Sequence, residues 1–257
     1  MKKLKYLMLV LCLSFAFVLA GCGDGQFGAK AEADIGNPEN YVVATAEQET
    51  AFTALLNDEE AVGVKSYRIT AETSASGMTM NMNCLYNVAG ENLELAMKVN
   101  VSMQGVSETV KCWIKDNYAY GEFFGQSGDA MKQMLGSNKI KETVDGEILS
   151  DLIANLDTLT LEYCVERAKG LDLSDEAISL KVETVEDVTR YEITRDGAGV
   201  KIYLIFNAGV LNSVQLEMNE ESPYVGTTTA KIVIEAFDGE IEFPNLDSFV
   251  DASGLEY

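Results

Sequence analysis

The chain has 257 residues, with 19 Lys and Arg against 41 Asp and Glu, a net charge of −22 and no histidine. That charge repels nucleic acid and anionic headgroups. The lack of histidine excludes Ser-His-Asp and Cys-His nucleophilic sites and His-ligated zinc. The length supports a full core, and a single continuous domain is the economical reading.

The chain opens with Met1-Lys2-Lys3-Leu4-Lys5, runs on from Tyr6 through an apolar stretch, and reaches Leu19-Ala20-Gly21-Cys22. A basic start, an apolar run of about 14 residues and small residues before a cysteine make a secretory signal that ends in a lipidation site. The run is shorter than the roughly 20 residues a membrane-crossing helix needs. Residues 1–21 are therefore expected to be removed, and Cys22 to carry diacylglyceryl as the new N-terminus. Each buried methylene contributes about 0.8 kcal/mol, so two acyl chains would hold the protein lastingly on a bilayer. The implied place is the outer face of the cell membrane, in the Gram-positive manner. Residues 22–44, rich in Gly, Ala, Asp and Asn with Pro38, read as a flexible tether, and residues 45–257 as one folded domain.

Thr45 starts a helix predicted over 45–57, with Phe52, Leu55 and Leu56 on one side and Glu47 and Glu49 at its positive end. A period of two follows. Tyr67, Ile69 and Ala71 alternate with Arg68, Thr70 and Glu72, and Met78, Met80, Met82, Cys84 and Tyr86 alternate with mostly polar residues. Leu93 to Met103 and Val106 to Ile114 repeat the pattern, and residues 117–122 extend it. Short turn-like links, such as those at Ser74 to Gly77 and at Gln104-Gly105, make successive strands antiparallel neighbours.

The period then changes. Helices are predicted over 129–135 and around Ile148, Leu149, Leu152, Ile153 and Leu156, while residues 163–169 suit a helical turn or a strand. Alternation returns over 189–196, 200–206, 210–218 and 227–237, and Ile241-Glu242-Phe243-Pro244-Asn245 is expected to close the sheet. The result is an α+β protein. About 8–10 antiparallel strands form one strongly curved sheet, a half-barrel, with a few helices on its concave face.

Four pieces carry a resemblance: the Leu19-Ala20-Gly21-Cys22 box, Val64-Lys65-Ser66-Tyr67 leading into the first strand, Lys115-Asp116-Asn117-Tyr118-Ala119-Tyr120, and Glu240-Ile241-Glu242-Phe243-Pro244. The chain resembles LolA/LppX-like bacterial lipoproteins, and more closely the uncharacterised Firmicute lipoproteins with a LolA-like half-barrel. The resemblance implies a hollow between sheet and helices that binds or carries lipids or lipoproteins.

Candidate ligand-binding residues are Met78, Met80, Met82, Met97 and Met103, all on the apolar side of the alternation. Methionine is flexible and polarizable, so a sheet lined with it adapts to acyl chains; the plainer alternative is a core packed beneath the helices. Met78, Met80, Met82 and Cys84 also line up four sulfur atoms. Successive ones are about 6.6–7 Å apart along a strand, which suits a core stripe better than a Cu(I) site. Cys84, Cys112 and Cys164 are the thiols left to the mature chain. They are odd in number, have no C-x-x-C spacing, and read as small buried hydrophobes. Asp172, Asp175 and Glu176, and likewise Glu217, Glu220 and Glu221, lack calcium-loop spacing and read as solvated turns.

Trp113 falls on the polar side of its strand, either exposed as a partner surface or covered by a neighbouring loop. No catalytic residues, metal or cofactor are expected. The reading is a non-catalytic, membrane-anchored lipoprotein that binds a lipid or another apolar ligand; the alternative is an envelope structural or protein-interaction module with a solid core.

Overall fold

The structure is a computed structural model that describes residues 25–58, 61–62, 66–89, 92–222 and 226–252. The expected signal segment, Cys22, Val64 and Lys65 lie outside the described residues.

Strand β1 (Val42–Val43) and helix α1 (Ala46–Leu56) precede a meander of β2 (Ser66–Ala75), β3 (Met78–Ala89), β4 (Asn92–Met103), β5 (Val106–Lys115) and β6 (Tyr118–Phe124). Helix α2 (Gln126–Leu135), strand β7 (Lys139–Thr143) and helices α3 (Gly146–Asp157) and α4 (Leu161–Lys169) follow. A second meander comprises β8 (Ile178–Val185), β9 (Val188–Arg195), β10 (Val200–Asn207), β11 (Val210–Ser222) and β12 (Gly226–Ala236), and β13 (Val250–Asp251) comes last.

Among the described residues thirteen strands form one sheet in the order β1-β8-β9-β10-β11-β12-β2-β3-β4-β5-β6-β7-β13, with every pair antiparallel except β13 on β7. The two meanders meet where β12 pairs with β2, Ile234 opposite Ile69. The protein is thus α+β, with one large, mostly antiparallel sheet that stays open. Both outermost strands are two residues long, which leaves little unpaired backbone for another chain to extend.

Local chemistry accounts for the element ends. Thr45 and Gln48 form a capping box on α1, each side chain bonded to the other's backbone N–H. Asp145 and Thr160 cap α3 and α4 through their side chains. Helix α2 starts at Gly125, which has no side chain to offer, and the buried Glu108 of β5 takes over. Its carboxylate accepts from the N–H groups of Gln126 and Ser127 at 2.8 Å each, and from the Ser127 hydroxyl. The β2–β3 turn has positive φ at both Ser76 and Gly77, the two-residue geometry that matches strand twist.

Several expectations are corrected. The sheet has thirteen strands rather than 8–10. The additions are β1, β7, β8 and β13, of which β1 and β13 are too short to carry a period. Residues 163–169 are helical, within α4. Residues 241–245 form no strand: Phe243 and Ile241 pack on the far face of the sheet, beside Trp113 and Phe249.

Residues 25–41, expected as tether, are laid across that same face. Phe27, Ala31 and Tyr41 are all buried there, because this face of the sheet carries apolar patches that a solvated tether would leave wet. The covering also explains why alternation fails as a guide to exposure in β4, where Ala96 and Lys98 are as buried as Leu95 and Met97.

The sheet therefore has two covered faces. On the inner one, α1, α3 and α4 pack Phe52, Leu56, Ile148, Leu149, Leu152, Leu156, Leu161 and Val165 into one core with Ile69, Cys84, Met97, Cys112, Tyr191, Leu204, Val214 and Ile234 of the strands. On the outer one, the segments before β1 and after β12 form two straps.

Candidate functional site

Strand register places the five candidate methionines. Met78, Met80 and Met82 stand in line on β3, facing inward. Met78 is opposite Met103, Met80 opposite Val101 and Met82 opposite Val99, whereas Met97 is opposite Cys84. Four of the five thus gather where the β2–β3 and β4–β5 turns end the sheet. Met97 sits deeper and is closed over by the core at 4% exposure.

Coverage falls off toward that end. Met78, Met80 and Met82 are half-buried, as are Ile202, Leu216 and Ile232 on neighbouring strands, and Met103 and Val106 are exposed. At these turns the apolar inner face is only partly covered and emerges as a strip. The strip is continuous with the core and bordered by flexible thioethers.

Two openings lie at the opposite end of the inner layer. One, of about 480 Å³, is lined by Tyr67, Tyr86, Tyr163, Val88 and the carboxylates of Asp157, Glu162 and Glu166. Here Tyr67 donates to Glu162, and the Tyr86 hydroxyl serves the carbonyls of Leu156 and Leu159 at 3.1 Å. Burial pushes both phenols well above the ordinary tyrosine value, so both stay protonated. The other, of about 570 Å³, lies where Leu149, Ser150 and Ile153 of α3 meet Asn92, Asn117 and Val144. The methionine pattern gave no hint of either opening, because their walls come from segments far apart in the chain.

The thiols are structural. Cys84 and Cys112 flank Met97 in one cross-strand row, two strand spacings or about 10 Å apart, beyond the roughly 7 Å that a disulfide spans. Cys84 and Cys112 are buried, as expected, whereas Cys164 is only half-buried. Burial alone pushes the Cys84 thiol up to about 12, so it stays protonated at neutral pH.

Asp172 and Asp175 hold their own turn: Asp172 accepts from Ser174 N–H and hydroxyl, and Asp175 accepts from Ala177 N–H. Glu217, Glu220 and Glu221, expected in a turn, instead lie within β11 and pair with β12, where Glu217 accepts from the Gln215 side-chain amide.

Trp113 is buried at 4% exposure under a strap from each end of the chain: Phe27 and Phe249 both meet its ring edge-on, at 5.8 and 6.0 Å. It is covered, as one of its two sequence readings had it. Its indole N–H has no hydrogen-bond partner among the described residues.

Between its apolar clusters the outer face is polar beneath the straps. Arg190 is its central clamp: it pairs with the buried Glu183 at 3.1 Å and with Asp34 of the N-terminal strap, and its Nε donates to the Asp34 carbonyl at 2.6 Å. Gly36 passes so close over this pair that a Cβ would lie 2.3 Å from the Glu183 carboxylate, and its φ of +61° also suits glycine. Further along, Lys30 pairs with Glu72 and Ala31 N–H donates to Thr70 Oγ1 at 2.8 Å. Asn83 donates to the Phe27 carbonyl at 2.9 Å.

Fold and site together define a class: an α+β protein whose open antiparallel sheet is filled by helices on one face and strapped by chain ends on the other. No protein-family model matches the chain, and no curated protein is significantly similar to it in sequence.

Proposed function

We propose that the protein is a non-catalytic lipoprotein, held by diacylglyceryl on Cys22 at the outer face of the cell membrane. It binds a lipid or another apolar ligand on a LolA-like, cupped sheet. The observation that supports this reading is the strip of Met78, Met80 and Met82, half-buried and open at Met103, which continues the core without being sealed by it. An acyl chain laid there gains burial at roughly 25 cal/mol per Å² while the methionines adjust to its shape. Helices fill the centre of the inner face, so the ligand lies along the rim end.

A specific observation favours a second reading. The core that joins α1, α3 and α4 to both meanders is solid around Leu161, Leu204, Leu211 and Ile234, each at 0% exposure. A packed centre suits an envelope interaction module.

Native mass spectrometry of the full-length protein, extracted from its own membrane, separates the two. A bound lipid, lost when Met80 and Met82 are both changed to Glu, is the expected result. Protein free of apolar ligand, and an apolar fluorescent dye no brighter in its presence, overturns ligand binding in favour of the module. Incorporation of labelled fatty acid that persists in Cys22→Ala overturns the anchor.

A further inference from the structure

A cavity of about 590 Å³ lies on the outer face, far from the methionines, between residues 30–34 of the N-terminal strap and strands β2, β10, β11 and β12. That volume falls within the roughly 300–1,000 Å³ of small-molecule sites. Thr70, Ser213 and Gln215 line it at 5%, 1% and 1% exposure, with Ile205 and Val233 as apolar patches between them.

A count of its polar groups separates those in use from those left over. Lys30 is paired with Glu72, and Asp34 with Arg190. Thr70 donates to Asn83 Oδ1 and accepts from Ala31, and the Gln215 amide N–H donates to Glu217. Ser213 Oγ is buried with no partner among the described residues, an arrangement that native interiors show rarely. At the exposed rim, the side chains of Glu32, Asn212 and Lys231 make no hydrogen bond or ion pair among the described residues. The groups left over are thus one hydroxyl, one carboxamide, one carboxylate and one ammonium.

This set has no net charge and offers donors and acceptors in alternation. An anion is disfavoured by the surrounding acids of a chain with net charge −22. An apolar ligand would leave the buried hydroxyl unpaired. What fits is a neutral molecule with many hydroxyls, whose C–H faces rest on Ile205 and Val233 while its hydroxyls meet Ser213, Asn212, Glu32 and Lys231.

We propose that this cavity is a saccharide site, formed jointly by the sheet and the strap that leads toward the expected lipid anchor. It is independent of the apolar strip, so either site can fail without the other. Because Glu32 and Ala33 belong to the strap, a bound sugar ties strap to sheet.

The test is isothermal titration of the full-length protein in detergent with glucose, N-acetylglucosamine, maltose and chitobiose, each at millimolar concentration. At least one is expected to bind, and its affinity to fall tenfold or more in both Ser213→Ala and Lys231→Met. Lys201→Met, on the same face outside the cavity, should leave it unchanged. Ser213→Ala removes an unpaired buried hydroxyl, so it folds at least as stably as the native chain, and a loss of binding there reports on the site. Binding of none of the four sugars, or binding unaffected in Ser213→Ala, overturns the proposal.

Discussion

The two faces of the sheet are both buried, by opposite means. The inner face is apolar and closed by helices, and its stability is that of close packing. The outer face is closed by straps over a surface that mixes apolar clusters with charged and polar groups, so its stability depends also on each charge and donor finding a partner. Every buried side-chain polar atom without a partner among the described residues, Arg68 Nε, Trp113 Nε1 and Ser213 Oγ, lies on the outer face. All three stand in one cross-strand row, Ser213-Glu235-Arg68-Leu85-Ala96-Trp113. A helix layer satisfies its own backbone and presents only side chains to the sheet, whereas an extended strap must spend its polar groups locally and leaves some of the sheet's unanswered.

The contrast is broken most forcefully at Arg190. Changing it to Met strands the buried carboxylate of Glu183, and unfolding in denaturant should register a loss of about 3–5 kcal/mol. Adding Glu183→Met should restore most of that loss, since only the exposed carboxylate of Asp34 is then left unpaired. Ile234→Ala on the inner face should cost about 2–4 kcal/mol by opening a cavity, and no second polar change should rescue it. If both variants respond alike to a compensating partner, the distinction between the faces fails.

Smaller effects sharpen the same comparison. Phe27→Ala should free the N-terminal strap over the single Trp of the chain, moving Trp113 emission to longer wavelength while the helix-covered core unfolds at nearly the native midpoint. Thiol labelling of the native protein at pH 8 should leave Cys84 untouched and reach Cys164 slowly, because burial pushes their thiols up to about 12 and about 11. The faintest effect is at Asp34, whose hydrogen bond from Arg190 holds its carboxyl below the usual 3.8. Its contribution is complete above pH 3.8 and disappears as pH falls through the lower folded value. Acidification below pH 4 should therefore loosen the strap, and a strap equally protected from hydrogen exchange at pH 3 and pH 7 would count against that.

Much of this was legible along the chain. Period-two alternation in residues such as Tyr67, Ile69 and Ala71 marked the inner face, and Thr45 marked the start of α1, because alternation and capping act between near neighbours. The site was legible only in part. The methionines share a strand, and their common face follows from spacing, yet sequence could not say that Met97 would be sealed while Met103 stayed open. The walls of the saccharide cavity come from residues 30–34, 70–72, 205–215 and 231–233, which no local pattern connects.

By itself, then, the order of residues determined the acidic surface, the absence of histidine chemistry, the expected lipid-bearing N-terminus and an antiparallel meander with helices. Tertiary structure alone decided that both faces would be covered, that residues 25–41 would lie on the sheet, and which polar groups would be left unpaired. The reason is physical: periodicity reports which way a side chain points, whereas burial depends on what distant segment arrives to cover it.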